Sequence, residues 1–287
     1  MPEMPEVESL RVFLTDKLVG RTITRLDVVA FSALKTYDPP PTALYGLEID
    51  GVTRHGKFLD VSAQGMHLVF HLARAGWLRW KDTQPTAPPK AGRNPLAVRL
   101  HLDDGSGFDL TEGGTQRKLA VYVVADPAQI PHVATLGPDP LADDFDRAAL
   151  AALLAKAGRS QLKGVLKDQR VIAGIGNAYS DEILHVARMS PFKPASSLSD
   201  DELTTLYDAI RDELAGAIRR AEGLAAKDLK GEKKSGMRVH GRKGEACPVC
   251  GDTIAEVSFA DSSLQYCPTC QTGGKKLADR RMSRLLK

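Results

Sequence analysis

Two prolines and three carboxylates stand within the first eight residues, Met1-Pro2-Glu3-Met4-Pro5-Glu6-Val7-Glu8. An initiator Met before a small residue is normally removed, which would leave Pro2 carrying a free secondary amine. An α-amino group titrates at about 7.7–8.0, so a usable fraction is unprotonated near neutral pH. Such an amine attacks carbonyl-like carbons and forms Schiff bases. Glu3, directly beside it, could donate or accept a proton. The same residues would also make a well-formed helix start, with Pro5 early and Glu6 and Glu8 facing the positive end of the dipole. The spacing leaves both readings standing.

Four cysteines form the second cluster: Cys247, Cys250, Cys267 and Cys270, two C-x2-C pairs sixteen residues apart. This is zinc-ribbon spacing. Four thiolates around one Zn2+ make a closed structural site with no open position for catalysis. Two disulfides are the alternative, disfavoured if the chain, which opens with no secretory-leader pattern, is cytosolic as expected. Two further candidates are single residues. Lys57 follows Arg54-His55-Gly56 at an expected hairpin tip, either solvated or turned back toward the site of Pro2. Asn177 follows Gly174-Ile-Gly176 just before an expected helix, where backbone N–H groups favour phosphate, or where Asn simply caps the helix.

The elements that must position these groups fall into three regions. Val7, Leu10, Leu14 and Leu18 recur on one face of a helix that stops at Gly20. From Thr22 to Val124 short alternating stretches predict an antiparallel sandwich, with strands at 22–31, 47–52, 57–62, 67–72, 78–80, 98–102, 108–111 and 118–124. Residues 83–95 are Pro- and Gly-rich and read as a loop. Helical periodicity follows over 146–157, 160–168 and 177–187. Ser199 and Glu202 then form a capping box opening a long helix whose apolar face is Leu203, Leu206, Ile210, Leu214 and Ile218. Residues 223–246 are basic and Gly-rich and are expected to be mobile. The implied division is 1–130 sandwich, 131–145 linker, 146–224 helical domain, 225–272 zinc module and 273–287 basic tail.

Charge is unevenly distributed. Residues 225–287 hold 13 Lys/Arg against 7 Asp/Glu, while the remainder carries 26 against 29. A basic end suits a polyanionic partner, although a solvated tail would look the same. No run approaches the ~18 apolar residues of a membrane span.

Taken together, the opening Pro2-Glu3…Glu8, the hairpin Lys57, the stretch from Asp168 through Gly174-Ile-Gly-Asn177 to Glu182, and Val239-His-Gly-Arg-Lys-Gly244 ahead of the cysteines name a family. The chain resembles the formamidopyrimidine-DNA glycosylase/endonuclease VIII family from residue 2 to about Gln271. That resemblance implies an α+β multidomain fold: an N-terminal β-sandwich with a flanking helix, a helix–two-turn–helix domain and a four-cysteine zinc β-hairpin. It implies a base-excision repair glycosylase with abasic-site lyase activity on damaged double-stranded DNA, acting on a flipped-out nucleotide. Pro2 would be the nucleophile, Glu3 the general acid/base, Glu6 a positioning group and Lys57 a proton donor and phosphate contact. Lys163, Asn177 and Arg242 would meet the DNA backbone, Arg74 and Arg117 would lie at the gap left by the flipped base, and the cofactor would be one structural zinc. The setting implied is a bacterial cytoplasm, on the nucleoid, as a monomer.

The departures from the family pattern bear on substrate. Five residues before Cys267, where relatives carry an Arg, stands Ser262. Arg74 replaces a common Met, Gln116-Arg117-Lys118-Leu119 matches the void-filling segment only loosely, and the loop from Lys227 to Val239 is short. These changes predict that 8-oxoguanine is not the preferred lesion and put the second elimination in question. The competing readings are a binding protein of the same fold with reduced catalysis, and a zinc ribbon fused to an unrelated β domain.

Overall fold

The structure, a computed structural model, describes residues 1–89, 95–114, 116–259 and 262–278. Parts of the expected 83–95 loop, the residue before Ser262 and most of the basic tail lie outside these residues.

The chain forms two compact units: Met1–Leu136 with Ala221–Lys230, and Gly137–Arg220 with Gly231–Lys287. In the first, helix α1 (Met4–Leu18) buries Val7, Leu10, Leu14 and Leu18, each such side chain contributing about 1.5–3 kcal/mol. Its buried face packs mainly on β2 (Ile49–His55). The other strands are β1 (Ile23–Val28), β3 (Phe58–Ala63), β4 (Met66–His71), β5 (Gly76–Lys81), β6 (Leu96–Leu102), β7 (Gly107–Glu112) and β8 (Ala120–Val124). They make two four-stranded antiparallel sheets, ordered β1-β6-β7-β5 and β2-β3-β4-β8. Alternation sends Leu59, Val61, Leu68 and Phe70 from one sheet, and Val98, Leu100, Phe108 and Leu110 from the other, into a shared core with α1. That is the sandwich the period-2 pattern predicts.

The short helix α2 (Pro131–Ala134) ends this part of the first unit. The second unit opens with α3 (Arg147–Ala157), where Asp146 accepts the Ala149 N–H at 2.7 Å as N-cap. Helices α4 (Leu162–Lys167) and α5 (Asn177–Val186) are joined by a turn pinned by Gln169, whose side chain accepts the Gly174 N–H and donates to the Ile175 carbonyl. Gly174 sits at φ +88°, a conformation that excludes most side chains. The capping box Ser199–Glu202 opens α6 (Asp200–Ala221) as expected, with Leu206, Ile210 and Leu214 buried and Leu203 and Ile218 half-buried.

One expectation is corrected. Within 223–246, read as mobile, residues Leu229–Gly236 form helix α7. Tertiary contacts offset its poor local propensity: Arg220 pairs with Glu232 at 2.8 Å, and the Lys233 ammonium lies 4.7 Å from the Tyr179 ring centroid. The zinc module then supplies the hairpin β9 (Ala255–Ser258) and β10 (Ser263–Tyr266), followed by α8 (Pro268–Thr272).

Candidate active site and zinc centre

Pro2, Glu3 and Glu6 are all buried at the start of α1. Glu3 is the N-cap and Glu6 the third helical residue, and together they form a capping box. The Glu6 carboxylate accepts the Glu3 N–H at 2.7 Å. The capping box therefore fixes the backbone on either side of Glu3, immediately after Pro2.

Lys57 occupies the second position of a two-residue turn between His55 and Phe58. Gly56 precedes it at φ +57°, the left-handed region that glycine tolerates. The lysine is only 7% exposed, so the solvated alternative is discarded. Arg54 ties this hairpin to α1, donating to the Glu8 carboxylate at 2.7 Å and to the Gly56 carbonyl at 3.1 Å. Burial pushes the Glu8 carboxyl up, but its hydrogen bonds from Arg54 and Arg11 outweigh this and leave it below the usual value. On the neighbouring strand, burial and then the charges of Lys57 and His132 push the His71 imidazole down to about 4. His71 is therefore neutral at physiological pH, and its Nδ1 accepts the Ala73 N–H, shaping the turn that presents the exposed Arg74. Arg117 is likewise exposed.

In the second unit Lys163 is buried, and its ammonium donates to the Asn177 carbonyl (2.9 Å), Ser180 Oγ (2.8 Å) and Asp181 Oδ1 (2.6 Å). An ammonium has three donors. In this arrangement Lys163 braces the opening turn of α5, and a phosphate would have to displace one of these partners. The N-cap is Gly176 rather than Asn177, correcting the capping alternative. Asn177 is the first helical residue, its Nδ2 donates to the Ser263 carbonyl at 2.7 Å, and its buried Oδ1 has no protein partner among the described residues. Arg242 is half-exposed, 3.6 Å from the Glu245 carboxylate.

Two features escaped the sequence reading. Asp181, fully buried, bridges Lys163 and His240, accepting the latter's Nδ1 at 2.7 Å. Glu182, 1% exposed, accepts the N–H groups of Arg238, Val239 and His240 at 2.6–3.0 Å. Adjacent acids on a helix would normally face water; the sequence offered only the motif stretch that ends at Glu182.

The four cysteine sulfurs lie within 4.8 Å of one another, and all are free thiols, which removes the disulfide alternative. Tetrahedral Zn–S bonds of about 2.3 Å put sulfurs about 3.8 Å apart. The separations Cys247–Cys270 at 3.9 Å and Cys250–Cys267 at 3.3 Å fit one such ion. His185 Nε2 stands 3.3 Å from Cys247 Sγ, and the Cys270 N–H faces Cys267 Sγ. The four cysteines hold one structural zinc.

A β-sandwich, a helix–two-turn–helix unit and a four-cysteine zinc hairpin, in this order, define a DNA glycosylase architecture. Residues 1–118 match the formamidopyrimidine-DNA glycosylase N-terminal domain, 136–228 its H2TH domain, and 244–273 a zinc finger found in FPG and IleRS. A formamidopyrimidine-DNA glycosylase of Symbiobacterium thermophilum is 36% identical over 98% of this chain and 93% of its own length. A formamidopyrimidine-DNA glycosylase-like protein of Mycobacterium tuberculosis, described as uncharacterized, is 61% identical over 56% of this chain and 99% of its own. The MutM (Fpg) structure from Thermus thermophilus superposes with a TM-score of 0.80 at 31% identity, covering 96% of this chain and 100% of that one. Lactococcus lactis Fpg in complex with abasic-site DNA gives 0.81 at 25% identity, covering 94% and 99%. This chain belongs to the formamidopyrimidine-DNA glycosylase family. No helix among the described residues is long and apolar enough to cross a membrane.

Proposed function

We propose that this chain excises damaged bases from double-stranded DNA and cleaves the resulting abasic site, with the nitrogen of Pro2 as nucleophile once Met1 is removed. The observation that carries the reading is the arrangement at the start of the first unit. Pro2 is buried beside Glu3, the Glu6 carboxylate fixes the intervening backbone, and Arg54 ties α1 to the hairpin bearing the buried Lys57. Two carboxyl groups and an ammonium taken out of water are costly unless function or pairing offsets them.

The chemistry follows from these groups. The Pro2 lone pair forms a bond to C1′ of the flipped nucleotide, and the C1′–N bond electrons leave with the base, which takes up a proton. Ring opening gives an iminium on the Pro2 nitrogen. Loss of a C2′ proton then expels the 3′ phosphate, and water releases the enzyme. Glu3 exchanges protons with the sugar, Lys57 supplies a proton and holds a phosphate, and Glu6 keeps Glu3 in register. Asn177 and Arg242 contact backbone phosphates, with Lys163 bracing the helix end that presents Asn177. Arg74 and Arg117 fill the gap left by the extruded base. The functional parts are then 1–130, 131–145, 146–224, 225–272 and 273–287, with 221–230 returning to the first unit, in a monomer working on the bacterial nucleoid.

Ser262 at the hairpin, where its carbonyl accepts the Phe259 N–H at 2.7 Å, supplies no cation for a second elimination. Together with Arg74 this favours abasic sites, formamidopyrimidines or oxidised pyrimidines over 8-oxoguanine. Ser262 also favours the alternative of a damaged-DNA-binding protein with reduced catalysis. Borohydride trapping on an abasic duplex separates the two. Met1-free protein should yield a stable covalent complex, whereas tight binding without any trapped product would refute the lyase reading.

A further inference from the structure

Strand β5 is an edge strand, paired only with β7 among the described residues. Its open side is flanked by residues 226–230, anchored where Trp77 Nε1 donates to the Ala226 carbonyl at 3.1 Å. Between them lies a cleft of about 490 Å3 whose lining includes Phe13, Trp77, Trp80, Arg79, Lys227 and Lys230. This volume is within the ~300–1,000 Å3 range of small-ligand sites. Phe13 lies nine residues along α1 from Met4, about 14 Å from the end that carries Pro2, so the cleft is distinct from the candidate active site.

Its walls offer two kinds of surface. The ring N–H of each tryptophan is already engaged, Trp77 with Ala226 and Trp80 with Asp82, so the rings contribute apolar π faces and edges. Trp80 and Phe13 are held edge-to-face with centroids 5.9 Å apart. The second surface is cationic. The Lys230 ammonium sits 4.4 Å from the Trp77 centroid, and Arg79, Lys227 and Lys230 line the cleft with no carboxylate among its lining residues. Partial burial against the Trp77 ring, and then the charge of Arg79, lowers the Lys230 pKa. An entering anion would meet three cations at the wall of the cleft.

We propose that this cleft holds an unpaired nucleotide of a DNA strand, its base against Trp80 and Phe13 and its phosphate among Arg79, Lys227 and Lys230. Aromatic faces beside a basic groove are how proteins hold single strands without reading sequence. The choice of DNA over another aromatic anion rests on the proposed function; the need for a planar group joined to an anion does not.

Trp77 and Trp80 are the chain's only tryptophans, so intrinsic fluorescence reports this cleft directly. Zinc-loaded full-length protein is titrated with oligothymidylate and with oligoglutamate of equal length. Saturable quenching by oligothymidylate alone is expected, and the Lys227→Glu/Lys230→Glu variant should bind it about tenfold or more weakly. Lys227 and Lys230 are exposed, only the Lys230 ammonium packing on Trp77, so circular dichroism of the variant should match the parent. The proposal is overturned if oligothymidylate does not quench, if oligoglutamate quenches equally, or if the folded variant keeps full affinity. The titration needs neither a lesion nor a free N-terminus. A negative result here therefore leaves the lyase reading intact, and failed borohydride trapping leaves this one intact.

Discussion

Replacing Arg54 with Met removes the tether between α1 and the hairpin that carries Lys57 while keeping most of the side-chain volume. The arginine side chain is 9% exposed and donates one charge-assisted bond to Glu8 at 2.7 Å and one to the Gly56 carbonyl at 3.1 Å. A hydrogen bond to a charged group contributes about 1.5–3 kcal/mol and a neutral one about 1. Glu8 keeps Arg11 as a partner and is 19% exposed, which moderates the loss. The expected cost is about 2–4 kcal/mol, a fall in melting temperature on the order of 5–15 °C for a unit of this size. Single-turnover trapping on an abasic duplex, run well below the new midpoint, should slow by more than about tenfold, because a small displacement of a reacting group carries that scale of penalty. The Glu8→Gln/Arg54→Met double variant should lose little beyond the single one, since both act through one contact. A variant as stable as the parent and equally fast in trapping would refute the reasoning.

Three other perturbations address separate parts of the molecule. Acidification should destabilise the first unit in two stages. His71, whose folded pKa is lowered, loses stability as pH falls from 6.5 toward about 4, while Glu8, Asp60 and Asp109, also lowered, lose theirs below their unfolded values of 4.5 and 3.8. Thermal melts from pH 7 to 3 check this, and a midpoint that rises toward acid would contradict it. Chelating zinc should unfold the cysteine module, for which metal contributes about 10–16 kcal/mol, while the sandwich still melts cooperatively; protease resistance of residues 244–273 in the apo protein would refute this. Glu182→Ala leaves three backbone N–H groups without their acceptor in a buried site, at about 1–3 kcal/mol each. Limited proteolysis should then cut within 229–246, and unchanged protection would count against the assignment.

Local patterns carried most of the fold. The stripe Val7, Leu10, Leu14, Leu18 is buried throughout, all eight expected strands of the sandwich occur within a few residues of their expected limits, and the Ser199–Glu202 box caps α6. What stayed hidden depends on partners distant in the chain. Helix α7 has glycine at both 231 and 236 and is held by Arg220 and Tyr179, so no window of its own sequence marks it. Asn177 could be read from sequence as a cap or a phosphate contact, and neither reading showed that its amide reaches Ser263, 86 residues away. Arg54 and Glu8 are 46 residues apart, and only the pairing of α1 with β2 brings them together. In the second unit, Lys163 was expected to meet the DNA backbone, yet its ammonium is buried against Asp181, a partner 18 residues away.

Peptide mapping of the borohydride-reduced complex tests the central claim most directly. The account predicts that the sugar remnant's mass resides on the N-terminal peptide, at the Pro2 nitrogen, and that no protein retaining Met1 carries it. An adduct on Lys57 or any other lysine, or an equal yield from Met1-bearing chains, would contradict it.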